Sequence, residues 1–87
     1  MHGELLAVVR GRVQGVGFRR TARRLGEQLQ LSGFVRNLPE GSVEVCAQGA
    51  RDHLEELIVR LKREFPTASF ETVYRQVGQK YSGFTIF

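Results

Sequence analysis

Leu5-Leu6-Ala7-Val8-Val9 is apolar at every step, and after the single residue Arg10 comes Gly11-Arg12-Val13-Gln14-Gly15-Val16-Gly17-Phe18-Arg19, where three of nine residues are glycine. An unbroken apolar run bounded by glycine reads as a central strand covered on both faces. A helical pattern begins immediately afterwards. The chain must therefore pass from buried strand to helix through a loop with almost no side-chain bulk. Glycine lets backbone approach a ligand where a Cβ would intrude. Amide N–H groups at such a turn point at a common centre and favour an anion there. Arg19 sits where loop becomes helix. Amide donors beside a fixed guanidinium are what a phosphate group requires.

Periodicity and turn residues divide the remainder. Residues 19–30 predict a helix, with Ala22, Leu25 and Leu29 at helical spacing, Phe18 at its start and Ser32-Gly33 at its end. Phe34 to Arg36 reads as a short strand, and Asn37-Leu38-Pro39-Glu40-Gly41 carries strong turn chemistry. Val43, Val45 and Ala47 alternate with Glu44, Cys46 and Gln48, a strand with one wet face. Residues 52–64 predict a second helix with Leu54, Leu57, Ile58 and Leu61 on one stripe, closed by Phe65-Pro66. Ser69 to Val77 and Gly83 to Phe87 read as strands, with a turn over residues 78–82. The order is β-α-β-β-α-β plus a terminal strand. It predicts an α+β, ferredoxin-like sandwich, with two helices on one face of an antiparallel sheet. At 87 residues, the span 1–87 is expected to be a single domain.

Charge adds a second constraint. The net charge is +4, but residues 1–37 carry +5 and residues 38–87 carry −1. The positive field therefore surrounds the glycine loop, where it attracts anions. In the second predicted helix, Asp52, Glu55 and Glu56 precede Arg60, Lys62 and Arg63, which suits the helix dipole. The first breaks that rule: Arg19, Arg20, Arg23 and Arg24 crowd its positive end. Such a conflict marks either a functional site, where a bound anion removes it, or a solvated basic face.

Other chemistries find little support. No Lys follows the glycines, so a Walker A loop fails, and Gly15-Val16-Gly17 lacks the third glycine of a dinucleotide fingerprint. Ser32, Ser42, Ser69 and Ser82 have no paired His, and His2 and His53 lie in no metal-ligand spacing. Cys46 reads as a strand residue, His53 as a solvated helix residue and Glu55-Glu56 as a helix face. An enzyme built this way would act on an already activated substrate, through positioning and charge stabilisation. Asn37 ends a strand and opens a turn. Its amide either satisfies that turn or orients a water, since it donates and accepts at once.

The lone cysteine excludes an internal disulfide and fits a reducing cytoplasm. Neither a signal peptide nor an apolar run of membrane-spanning length is evident. The element order is also that of RNA-binding ferredoxin-like domains. Those stack bases on sheet aromatics, and Ser42 to Gln48 has none. A phosphate-sensing module without turnover is a second alternative.

Val9 to Arg19 resembles the first signature of the acylphosphatases, and Gly33 to Gly49 resembles the second, with Asn37, Gly41, Val43 and Gly49 at the expected spacings. Tyr81 to Ile86 is similar to the family's C-terminal end, so the resemblance covers the whole chain. It implies hydrolysis of carboxyl–phosphate anhydrides to a carboxylate and inorganic phosphate. The loop amides of Gln14, Gly15, Val16, Gly17 and Phe18, with the Arg19 guanidinium, are expected to bind the phosphoryl group, and Asn37 to hold the attacking water. No metal, cofactor or covalent phosphoenzyme is expected. Neither is a nucleic-acid or membrane partner, and the chain is expected to be a monomer. Inorganic phosphate should bind as product and competitive ligand.

Overall fold

The computed structural model describes residues 2–87, in the order β1 (His2–Arg10), α1 (Phe18–Gln28), β2 (Ser32–Asn37), β3 (Val43–Ala50), α2 (Arg51–Glu64), β4 (Ser69–Arg75) and β5 (Phe84–Ile86). The strands form one sheet in the order β4-β1-β3-β2-β5. β1 pairs antiparallel with β3 and β4, and β2 antiparallel with β3, whereas β5 lies parallel to β2. The sheet is therefore mixed and not wholly antiparallel as expected. The reason is topological. β4 runs down one edge, and residues 76–83 cross below the sheet to the far edge, so the chain can only re-enter running upward beside β2.

Both helices cover one face. Phe18, Ala22, Leu25 and Leu29 from α1 and its cap, and Leu54, Leu57, Ile58 and Leu61 from α2, meet Leu5, Ala7 and Val9 of β1, Val35 of β2 and Val43, Val45 and Ala47 of β3. The Cβ that Gly26 lacks would stand 2.6 Å from the Phe84 ring, so α1 can lie directly on β5 only with glycine there. The opposite face corrects the reading of Leu5–Val9 as covered on both sides: Leu6 and Val8 point away from the helices and are half-buried. Leu6 is flanked by Cys46 and Val73 in the sheet, whereas Val8 lies between Glu44 and Glu71, so no second layer covers either.

The same open face carries a buried polar network. Glu4 is only 2% exposed, and its carboxylate accepts from the Gln48 amide (2.7 Å) and from the Arg75 guanidinium. Gln48 also donates to the Gln79 main-chain oxygen and accepts from the Tyr81 N–H at 3.1 Å, strapping the 76–83 crossing to the sheet. Burial pushes the Glu4 carboxyl up, but Gln48 and Arg75 together hold it below its ordinary value.

α1 ends earlier than expected. Gln30 takes a left-handed conformation (φ 58°), its N–H bonds the Glu27 oxygen and that of Leu31 bonds the Gly26 oxygen. This is the paired closure of a Schellman motif. Ser32 and Gly33, expected to stop the helix, already belong to β2.

Candidate active site

The glycine loop lies between the upper end of β1 and the start of α1. Gly17, at the N-cap, is left-handed (φ 86°, ψ 12°), as is Gly15 (φ 75°), and only glycine adopts this without strain. A glycine cap has no side chain to return to the helix, so α1 has no side-chain cap and no acid in its first turn. The first helical bond runs from Thr21 N–H to the Gly17 oxygen at 3.0 Å. The N–H groups ahead of it are left for an external acceptor at the positive end of the dipole.

Phe18 anchors this arrangement. Its ring is buried and packs on Phe65 at 4.8 Å and Phe70 at 6.3 Å. Arg19 follows, and its Nη1 donates to the Phe87 main-chain oxygen at 2.7 Å. A guanidinium has five N–H donors, so this bond orients the group and leaves others free. Val13, Gly15, Gly17, Phe18, Arg19, Arg20 and Ile86 wall a cleft of about 390 Å³. Gln14, Val16 and Asn37 do not line it. Val16 is at the exposed loop tip, and the Gln14 side chain turns to the neighbouring loop, donating to the Leu38 oxygen (2.9 Å) and the Ser42 oxygen (2.8 Å).

That neighbouring loop carries Asn37. Its own backbone closes the turn: Leu38 N–H bonds the Ser42 oxygen at 2.8 Å, and Gly41 N–H bonds the Leu38 oxygen at 3.1 Å. The Asn37 side chain is exposed and makes no hydrogen bond among the described residues. Of the two roles open to it, satisfying the turn is thus already filled by backbone. Gln14 clamps the Asn37 turn to the glycine loop, so the two loops hold a fixed relation.

Other candidates fall away on geometry. Cys46 is buried in β3, and burial beside Glu4 pushes its thiol up to about 11, so it is protonated and unreactive at neutral pH. No cluster of metal-ligating side chains exists among the described residues. A larger cavity, about 640 Å³, opens at the other end of the sheet between His2, Ser32, Gln48 and Tyr81, far from loop and helix start. No described helix is long and apolar enough to cross a membrane.

Residues 5–86 match the family model for acylphosphatase. The chain belongs to the acylphosphatase family. An acylphosphatase of Thermus thermophilus is 45% identical over 76 residues, covering 87% of this chain and 86% of its own. One from Caldivirga maquilingensis is 44% identical over 84 residues, covering 91% and 87%. The crystal structure of acylphosphatase from Bacillus subtilis superposes with a TM-score of 0.90 at 28% identity, over 100% of this chain and 99% of that one. The chain is accordingly a hydrolase of this family, and neither the RNA-binding nor the sensing alternative is favoured.

In this acylphosphatase three features of the cleft lay beyond sequence reasoning. Ile86 and the Phe87 oxygen reach the cleft only because β5 is parallel to β2, a pairing no local pattern reports. The Gln14 clamp depends on a contact 24 residues away in the chain. The basic start of α1 was visible, but not that Arg20 alone of its later arginines would line the cleft.

Proposed function

We propose that this acylphosphatase hydrolyses the carboxyl–phosphate anhydride of acyl phosphates, with the phosphoryl group held by the amides of the Gln14–Phe18 loop, of which Gly15, Gly17 and Phe18 wall the cleft, and by Arg19, and the attacking water held by Asn37 from the neighbouring loop. The observation that carries this reading is the convergence on one cleft of uncapped helix amides, a left-handed glycine turn and an oriented guanidinium. Phosphoryl transfer spreads charge over the equatorial oxygens, so positioned donors are what accelerate it. Water held by the Asn37 amide attacks phosphorus. The bond to the acyl oxygen breaks, and its electron pair leaves on the carboxylate. A carboxylate is stable without a proton, so the departing side needs no general acid. The proton from water passes to solvent or to the phosphate itself. No nucleophilic side chain and no metal enters this scheme. Inorganic phosphate, retaining the same contacts, competes with substrate. The reading extends to residues 1–87 acting as one domain and as a monomer in the cytoplasm, the last of which fits a lone buried cysteine that forms no internal disulfide.

The test is release of phosphate from benzoyl phosphate at neutral pH with chelator present. Wild type should turn over unaffected by the chelator. Asn37→Ala should lose about 10²–10³ in kcat with little change in KM, as expected for one positioned polar group. A raised KM at normal kcat would place Asn37 in binding, and inactivation by chelator would end the metal-free scheme.

A further inference from the structure

The four arginines at the start of α1 have different fates. Arg23 pairs with Glu27 at 3.5 Å, Arg24 with Glu64 at 3.1 Å, and Arg19 is bonded to the Phe87 oxygen. Arg20 alone has neither ion pair nor hydrogen bond among the described residues, and it lines the cleft beside Arg19. At about 390 Å³ the cleft lies within the range of small-molecule sites, roughly 300–1,000 Å³, and exceeds what a phosphoryl group fills. Ile86 and Val13 give its wall an apolar portion. No acid stands in the first turn of α1 to neutralise the added cation. The cleft thus offers an anion site at the loop, an apolar surface beside it and a second, unengaged cation.

We propose that Arg20 is a specificity residue: it selects acyl phosphates whose acyl part carries a second anionic group, holding that group while Arg19 and the loop hold the phosphoryl group. This rests on the acyl phosphate reading above and narrows its substrate class. The recognised chemistry is a carboxylate or phosphate-like anion attached to an apolar or aromatic acyl body. Arg20 touches neither the scissile bond nor the water, so its effect should vanish for uncharged acyl groups.

The experiment compares three substrates, benzoyl phosphate, 3-carboxybenzoyl phosphate and 3-phosphonobenzoyl phosphate, in wild type, Arg20→Gln, Arg20→Lys and the control Arg23→Gln. Wild type should favour at least one anionic substrate in kcat/KM by roughly two- to fivefold at low ionic strength, the scale of one exposed charge pair. Which of the two is favoured distinguishes carboxylate from phosphate-like recognition. Arg20→Gln should abolish the preference while leaving benzoyl phosphate turnover within about twofold. Arg20→Lys should retain most of it, and Arg23→Gln all of it. Added salt should erase the preference in wild type. A wild type with no preference, or an Arg20→Gln variant slowed equally on all three substrates, overturns the proposal. Failure of wild type on every substrate, benzoyl phosphate included, instead removes the acyl phosphate reading beneath it.

Discussion

The two ends of the sheet are built on opposite principles. At the lower end, the cavity of about 640 Å³ is the larger, yet the buried Glu4 and Gln48 beside it are engaged with Arg75, Gln79 and Tyr81. At the upper end the cleft is smaller, but the first amides of α1 have no side-chain cap, and among the described residues the Asn37 side chain, on the neighbouring loop, has no hydrogen-bond partner and Arg20 no counter-ion. Buried polar groups must be satisfied within the protein, at a cost of about 1–3 kcal/mol for each one left unmade. Exposed ones need not be, and remain free to engage a ligand. Unengaged donors, not volume, separate the end proposed to hold substrate from the structural one.

Breaking the functional end should have the larger effect. Arg19→Ala removes the one guanidinium already oriented in the cleft. We expect kcat/KM for benzoyl phosphate to fall by at least about 10³, with inhibition by inorganic phosphate lost in parallel. Arg19→Lys should remain badly impaired, because a point charge cannot reproduce the planar fork. Unfolding midpoints should hardly change, since among the described residues the Arg19 side chain is bonded only to the Phe87 oxygen. A lysine variant with near-normal turnover would show that charge, not geometry, is the requirement.

The structural end should respond in the reverse sense. Glu4→Gln keeps the shape but leaves Arg75 without its carboxylate and opposes two amide groups. A loss of roughly 1–3 kcal/mol in unfolding free energy is expected, with kcat and KM unchanged. The pH dependence carries a sign. In the folded state the Glu4 carboxyl lies below its ordinary value of 4.5, so its contribution is present above that value and is lost as pH falls through the folded one. Wild type should therefore lose stability on acidification below about pH 4.5, and Glu4→Gln should lose less over the same interval. Parallel urea midpoints for both proteins across that range would remove Glu4 from the network's role.

This contrast also explains what was legible beforehand. Helices and strands reported by local periodicity, such as Leu54-Leu57-Ile58-Leu61, sit within a residue or two of the expected bounds because one face of each is buried. The glycine loop, Arg19 and Asn37, the groups proposed to act on substrate, can be named from the sequence because the chemistry proposed for them is carried by residue type. Features made by distant pairings cannot. The parallel β5 depends on a crossing under the sheet, and Leu6 finds its apolar neighbours, Cys46 and Val73, laterally in β3 and β4. Glu4 carries no local signal of burial; Gln48 and Arg75 come to it across 44 and 71 positions.

Two smaller effects sharpen the comparison. Gln14→Ala cuts the clamp between the glycine loop and the Asn37 turn while leaving both loops' own backbone bonds intact. A loss of about tenfold in kcat/KM is expected, since two groups that must meet at one phosphorus lose their fixed relation. Unchanged kinetics would mean that the loops hold their positions independently. Gln30→Gly lies at the other end of α1, where a side chain is held at φ 58°. Glycine relieves the left-handed strain of about 1–2 kcal/mol but adds freedom to the unfolded chain, worth about 0.4–1 kcal/mol. The difference predicts a gain of about 0.5–1 kcal/mol in urea unfolding with no change in turnover. A loss of stability would show that the Gln30 side chain makes up more than its backbone strain takes away.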